Sequence, residues 1–344
     1  MAGVTARNIA ARLGLSTSAV SLALNGKPGV SEQTRASVFK AAEEMGYGGV
    51  RKLPEPSGYR RICFVFYINK LVSIAENTSF SSFVLQGVES AASAQGYSTQ
   101  VRYLRAGESV EKQAADICRN ADGIILLGTD LIEDSLPEVQ AFLDAASSLP
   151  TVVVDSLMLA ERLDCVGNDN ALGSRQAVNY LLERGCRRIG YLRSRHRILN
   201  FEERERGLRS ALADAGMEPD AVVDLGISFD DACEDMNRYI EKCDRLPDGF
   251  FAENDVIAAA SIRALRAHGV ALPEDVSIVG FDDIPICDLT DPSLTTVHSF
   301  KEQLGEVAVA LLQMRMPSRQ AFSSGTGRMR VMLSTELRVR GSVR

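Results

Sequence analysis

Leu15-Ser16-Thr17-Ser18-Ala19-Val20-Ser21-Leu22-Ala23-Leu24-Asn25-Gly26 reads as one short helix with its small polar residues gathered on one side. Ser16 stands where an N-cap belongs, Val20 and Leu24 fall on the inward stripe, and Thr17, Ser18, Ser21 and Leu22 fall outward. A first helix precedes it: Thr5 can cap it, Ile9, Ala10 and Leu13 recur at helical spacing, and Gly14 stops it. Two helices joined by a tight glycine-bearing turn make a helix-turn-helix. A third helix follows Ser31, with Val38, Ala42 and Met45 on one stripe and Gly46 as its stop.

A plain three-helix bundle would share this periodicity, so the charge distribution has to discriminate. Residues 1–61 hold nine Lys/Arg against four acidic residues, whereas the remainder holds 29 against 41. The net charge of −7 therefore hides a basic N-terminal module on an acidic body, an arrangement suited to binding a polyanion by one end only.

The segment from Leu15 to Gly26, followed by Val30-Ser31-Glu32-Gln33-Thr34-Arg35 and closed by Ala41-Ala42-Glu43-Glu44-Met45-Gly46-Tyr47, resembles the headpiece of the lactose-repressor (LacI) family of bacterial transcription factors. The resemblance implies that Ser16, Ser21, Asn25, Ser31 and Thr34 meet the phosphates of double-stranded operator DNA while Thr17, Ser18 and Leu22 meet bases, with Thr5 also among the DNA-binding residues. Long amides or arginine, which make bidentate base contacts in some relatives, are absent from these positions, and Leu22 can pack on a thymine methyl. Alternatively, Leu22 belongs to the headpiece's own core.

The linker departs from the family. Relatives carry a Pro-Asn pair, an Ala-Arg pair and a Leu that wedges into the minor groove. Here the segment is Gly48-Gly49-Val50-Arg51-Lys52-Leu53-Pro54-Glu55-Pro56, and Pro54 disfavours helical geometry at Leu53. Two readings stay open: Arg51 and Lys52 touch phosphates with Leu53 as a reduced wedge, or the linker is flexible.

With 344 residues the chain is expected to form two or three domains. Beyond the Pro/Gly/Ser stretch Leu53 to Gly58, short apolar runs (Ile62 to Ile68, Thr99 to Leu104, Gly123 to Leu127, Thr151 to Val154, Arg188 to Leu192, Gly249 to Phe251, Val276 to Phe281) alternate with helical patterns. Those helices are expected at Phe83 to Ala94, Ala171 to Glu183, Glu203 to Ala215, Asp231 to Lys242 and Val256 to Ala267. The alternation predicts an α/β fold of parallel sheets with helices on both faces, one sheet per half and a cleft between them. The expected organisation is a headpiece at 1–47, a hinge at 48–60 and a core at 61–344. Its first lobe is expected at about 61–158 and 292–317, and its second at about 159–291 and 318–344.

Open parallel sheets bind ligands beyond the carboxyl ends of their strands, and polar residues cluster at those ends. They are Thr78-Ser79-Phe80-Ser81, Asp155-Ser156, Glu253-Asn254-Asp255 and Asp282-Asp283. Any one of them alone reads equally well as a helix cap. Four together favour a shared site.

The family resemblance extends here through Arg204-Glu205-Arg206-Gly207, Asn254-Asp255, Gly280-Phe281-Asp282-Asp283 and Pro292-Ser293-Leu294-Thr295-Thr296-Val297, which look like landmarks of its periplasmic-binding-protein-like core. It implies that Arg204, Asn254 and Asp282 bind a small carbohydrate-like effector, with Ser79 and Phe80 from the other lobe, and with Asn200 and Asp155 beside them. Phe80 as a core aromatic is the alternative.

Dinucleotide, P-loop and nucleophile-elbow motifs are missing from the sequence, and its three histidines and seven cysteines show no metal-binding or disulfide spacing. Neither an enzyme nor a cofactor or metal is expected. Cys63, Cys165 and Cys287 read as core thiols. With no membrane-length apolar run and no signal-peptide pattern, the expectation is a cytoplasmic homodimeric regulator, its competitor being a sugar-binding solute carrier.

Overall fold

Gly123–Leu127 reads Gly-Ile-Ile-Leu-Leu and is buried at every position, as a strand covered on both faces must be. In the computed structural model, which describes residues 5–24, 30, 34, 37, 38, 41, 42, 45, 60–69, 79–119, 121–316 and 327–344, it is a central strand of a six-stranded sheet. The chain divides into two compact units, residues 1–59 and 60–344.

In the first unit, α1 (Ala6–Leu13) begins after Thr5, whose backbone N–H donates to Asn8 Oδ1 at 2.9 Å, and ends at Gly14, where φ is +65°. Ser16 Oγ accepts from the Ala19 N–H at 3.1 Å and so caps α2 (Thr17–Leu24). Ile9, Ala10, Val20, Ala23, Val38, Ala41 and Ala42 close a small core, with Leu13, Val30 and Met45 packed against it.

The second unit holds two sheets. The first has the order β11-β5-β4-β3-β1-β2 and is built from β1 (Arg60–Ile68), β2 (Tyr97–Arg105), β3 (Gly123–Leu127), β4 (Thr151–Val154), β5 (Asp164–Asn168) and β11 (Arg330–Leu333). Every pairing in it is parallel. The second has the order β12-β10-β9-β8-β6-β7, from β6 (Ile189–Ser194), β7 (Ala221–Leu225), β8 (Gly249–Ala252), β9 (Ser277–Asp282), β10 (Thr295–His298) and β12 (Glu336–Arg338). Among the described residues only β12 runs antiparallel, against β10.

Alternation along each strand feeds two separate cores per sheet. Ile62 and Phe64 join a core with α3 (Phe80–Ala94) and α11 (Lys301–Arg315), whereas Cys63, Val65 and Tyr67 join another with α4 (Val110–Cys118) and α5 (Leu136–Ala145). In the second sheet Phe250 and Ile278 face α8 (Phe229–Lys242) and α9 (Asp255–Ala267). Phe251, Val279 and Phe281 face α6 (Asn170–Glu183) and α7 (Leu199–Asp214). A four-residue helix, α10 (Ile286–Leu289), follows β9. Cys63, Cys165 and Cys287 are core thiols, and burial pushes Cys63 and Cys165 up to about 12.

Sheet membership corrects the expected lobe boundaries in three places. Residues 164–168 and 330–333 belong to the first sheet, not the second lobe, and 295–298 to the second sheet, not the first lobe. Among the described residues the chain therefore crosses between lobes three times, after β5, after β10 and after β11. Local patterning could not reveal this, because a strand's partner is chosen by distant segments.

Helices meet closely where glycine removes the side chain. A Cβ on Gly87 of α3 would lie 1.9 Å from the Glu302 carbonyl oxygen of α11, and one on Gly305 2.2 Å from that of Val84. In the second lobe, a Cβ on Gly207 of α7 would lie 2.3 Å from the Ala171 oxygen of α6.

Candidate functional site

Among the described residues, the three non-glycine positions with positive φ are Asp155 (63°), Asp282 (107°) and Asp283 (55°). Asp155 follows β4 and Asp282 ends β9, so strained aspartates mark the carboxyl ends of strands in both sheets.

Arg204, only 3% exposed, sits among these ends on α7. Its Nη2 donates to Asp282 Oδ1 at 2.9 Å, its Nε to Asn170 Oδ1 at 3.0 Å, and its Nη1 to the Glu253 carbonyl. The guanidinium carbon lies 3.7 Å from the centre of the Phe281 ring. All three edges of the fork are occupied and one face is stacked, so the group is fixed in place.

Asn200, one turn before Arg204, crosses to the other lobe: its Nδ2 donates to the Asp155 carbonyl at 3.1 Å. Asn170 Nδ2 donates to Glu203 at 2.9 Å and lies 3.4 Å from Asn200 Oδ1. The Thr129 hydroxyl donates to Asp155 Oδ2 at 2.6 Å. Burial pushes Asp155 up to about 7 against the pull of Thr129 and Arg204, with the Asp282 charge adding to the rise. Asp282 is raised by burial as well, although Arg204 draws it back.

Asp155, Asn200, Arg204 and Asp282 are therefore brought together as expected from the sequence. Asn254 lies beside them, its Oδ1 capping α9 through the Ile257 N–H at 2.9 Å, while its Nδ2 makes no hydrogen bond among the described residues. Phe80 is buried in the first lobe's core with Val84 and Val88, and Ser79 before it is half-buried with no side-chain cap.

The sequence marks Glu253 as part of a polar strand end but gives no signal for Asn170 or Thr129. Asn168-Asp169-Asn170 closes a strand whose short apolar content hid it, which is why the polar end went unread. Both amide atoms of Asn168 are buried without a hydrogen-bond partner among the described residues.

On the headpiece, Thr5, Ser16, Thr17, Ser18 and Ser21 are exposed, and Leu22 and Thr34 are partly so. Among the described residues, Leu22 is not in the small core that Val20 and Ala23 join. Asn25, Ser31, Arg51 and Leu53 lie outside the described residues. No helix among the described residues is long and apolar enough to cross a membrane, and no cluster among them could hold a metal.

A helix-turn-helix unit joined to a two-lobed, parallel-sheet core of the periplasmic-binding-protein type is the class that fold and site define. Residues 5–48 match "Bacterial regulatory proteins, lacI family", and residues 178–343 match "Periplasmic binding protein-like domain". The chain is 30% identical over 346 residues to the HTH-type transcriptional repressor CytR of Escherichia coli K12, covering 99% of this chain and 96% of that one. The PurR repressor of Vibrio parahaemolyticus is 30% identical over 325 residues, 92% of this chain and 93% of its own. A solved CelR–cellobiose complex superimposes with a TM-score of 0.70 at 30% identity, covering 98% and 99% of the two chains. The chain belongs to the LacI family of bacterial regulatory proteins. It is a DNA-binding transcriptional regulator, not a sugar carrier of the solute-binding kind, and the relatives it matches are repressors, not enzymes.

Proposed function

We propose that this protein is a cytoplasmic, non-enzymatic repressor whose affinity for a two-fold operator is set by a small carbohydrate-like effector bound between the lobes. The observation that carries the reading is the buried cluster of Arg204, Asp282, Asn170, Asn200 and Asp155, which draws polar groups from both lobes to the strand ends. Carboxylate and amide acceptors beside an arginine fork are the chemistry that hydroxyl groups require. Ser79 and the free amide nitrogen of Asn254 stand ready to add contacts, while Phe80 supports the wall from behind. The cellobiose in the related CelR complex supports a sugar-like ligand.

A headpiece of this size reads one half-site, so two protomers are needed for a palindrome. Phosphate contacts come from Thr5, Ser16, Ser21, Asn25, Ser31, Thr34 and Arg51, and base contacts from Thr17, Ser18 and Leu22, with Leu53 at the groove.

A thermal-shift screen of mono- and disaccharides, including cellobiose and ribose, and of nucleosides, followed by gel shifts of the hits on selected operator DNA, tests the reading. Asp282→Ala should weaken the hit about ten- to a hundredfold by calorimetry, from the loss of about 1.5–3 kcal/mol in charge-assisted bonds. Wild-type affinity in the folded variant would refute the assignment.

A further inference from the structure

Glu253 has no exposed surface, and its carboxylate caps no helix, since Asn254 performs that task for α9. One carboxylate oxygen accepts from the Tyr191 hydroxyl and from Arg197 Nη1 at 2.5 Å, and the other from the Ser194 N–H at 2.6 Å. Its backbone carbonyl accepts from Arg204. Both ends of a single residue are therefore bonded to the stretch between Tyr191 and Arg204.

That stretch is the arm that reaches the other lobe. Ile198 and Phe201 pack together with Ile132 of the first lobe against them, and Asn200 donates to the Asp155 carbonyl. Arg197, itself partly exposed, is held from its far side by Glu205 at 3.2 Å. Glu205 also pairs with Arg209 at 2.8 Å and lies 3.9 Å from Arg193, which pairs with Asp224 at 2.7 Å. Tyr191 of β6, Arg197 of the loop that follows, and Arg204 and Glu205 of α7 are thus the ionisable groups around Glu253.

We propose that Arg197 and Glu253 are positioning residues: their ion pair holds the β6–α7 loop and the Arg204 fork in register with the first lobe, so that effector recognition depends on it through Asn200 and Arg204. The proposal rests on the effector-cleft reading above, but the register of the loop is measurable without any effector. A buried carboxylate deprived of its guanidinium takes up a proton instead of remaining ionised. Burial already pushes Glu253 up to about 7 with Arg197 in contact. Protonation leaves a neutral acid that Tyr191 and Ser194 still satisfy and that Arg197 no longer grips, so the loop alone is released.

Hydrogen–deuterium exchange of the ligand-free full-length protein, read on peptides covering 194–201 and corrected for intrinsic rates between pH 6 and 9, tests this. Wild-type protection should fall as pH falls through neutrality. Arg197→Met and Glu253→Gln should exchange about tenfold faster in 194–201 and show a flat pH profile, with peptides from β3 and β8 unchanged. Arg197→Lys, which keeps the charge, should restore most of the protection. Unchanged protection of 194–201 in Glu253→Gln, a flat wild-type profile, or a loss spread evenly over the second lobe would overturn the proposal. If Arg197→Met does not fold, Arg197→Lys, Glu253→Gln and the wild-type profile decide. Should exchange behave as expected while cellobiose, ribose and the remaining panel all fail to bind, the effector reading falls and the positioning role stands.

Discussion

Lys301 at the start of α11, a helix of the first lobe, donates through Nζ to the backbone carbonyl of Asp282 at the end of the second lobe's β9. The same ammonium donates to the carbonyls of Asp283 and Ser299, each at 3.1 Å, and is 3% exposed. Asp282 thus presents its carboxylate to Arg204 and its carbonyl to Lys301. A ligand that moves the aspartate pulls on a helix of the opposite lobe.

Lys301→Met should therefore spare effector binding and weaken its consequence. The ratio of operator affinities with and without effector, commonly 5- to 150-fold in coupled systems, should approach one, while effector affinity changes by about threefold or less. Gel shifts paired with calorimetry measure both. A variant that keeps the full ratio would show that Lys301 only closes the crossing.

Stability should decline as pH rises from 5 to 8. Asp155, Glu253 and Asp255 are each pushed up to about 7, burial being the main cause, while unfolded carboxylates titrate near about 4. Across that window the folded state holds the more protons, so its advantage is complete below about pH 4 and is lost as pH passes through 7. Asp283 has the opposite sign: burial resists its ionisation, yet hydrogen bonds from His298 and Arg340 hold it at about 2, so its contribution is lost only in strong acid. Each unit of upward shift that a group retains above pH 5 is worth about 1.4 kcal/mol across this window. Urea unfolding at pH 5 and pH 8 checks this, and Asp255→Asn should flatten its share of the slope.

Gly87→Ala and Gly305→Ala should each cost about 1–3 kcal/mol, because a new Cβ would overlap a backbone oxygen of the facing helix, which cannot rotate away. Gly207→Ala should carry a second penalty, in effector affinity, because it displaces α7 within one turn of Arg204. Thermal unfolding and calorimetry separate the two effects.

Leu22→Ala should cost about 1–3 kcal/mol on a selected operator and little on random DNA, as expected for a side chain that meets bases. Its partial exposure, beside the fully buried Val20 and Ala23, supports that assignment. Equal losses on both DNAs would mark it as structural.

What could be read from the chain divides by the range of the information. Gly123–Leu127 and Thr151–Val154 were legible to the residue, because strands buried on both faces are continuous apolar runs. β5 reads Asp-Cys-Val-Gly-Asn, its Asp164 serving Arg315 at 2.6 Å, and so carried no such run. Asp282 was legible as a polar strand end, and Arg204 through the family resemblance. Asn170, Thr129 and the Glu253 carbonyl acquire their roles from partners tens of residues away, Arg204 reaching Glu253 across 49 positions and Asp282 across 78. The polar signature of each is indistinguishable from a turn until those partners are known.

The threefold crossing has a consequence for synthesis. One apolar face of the first sheet, with Ile62, Phe64 and Ile125, waits for Leu304, Ala308 and Leu312 of α11 to cover it, and β5 waits for β11 as its neighbour. During translation the second lobe can complete all but its last strands while that face of the first is covered by α3 alone, so the earlier-made lobe is the later to close. An unfinished chain stalled on the ribosome near residue 290 would present that greasy face to the cytosol, and chaperone capture of nascent chains should be strongest there.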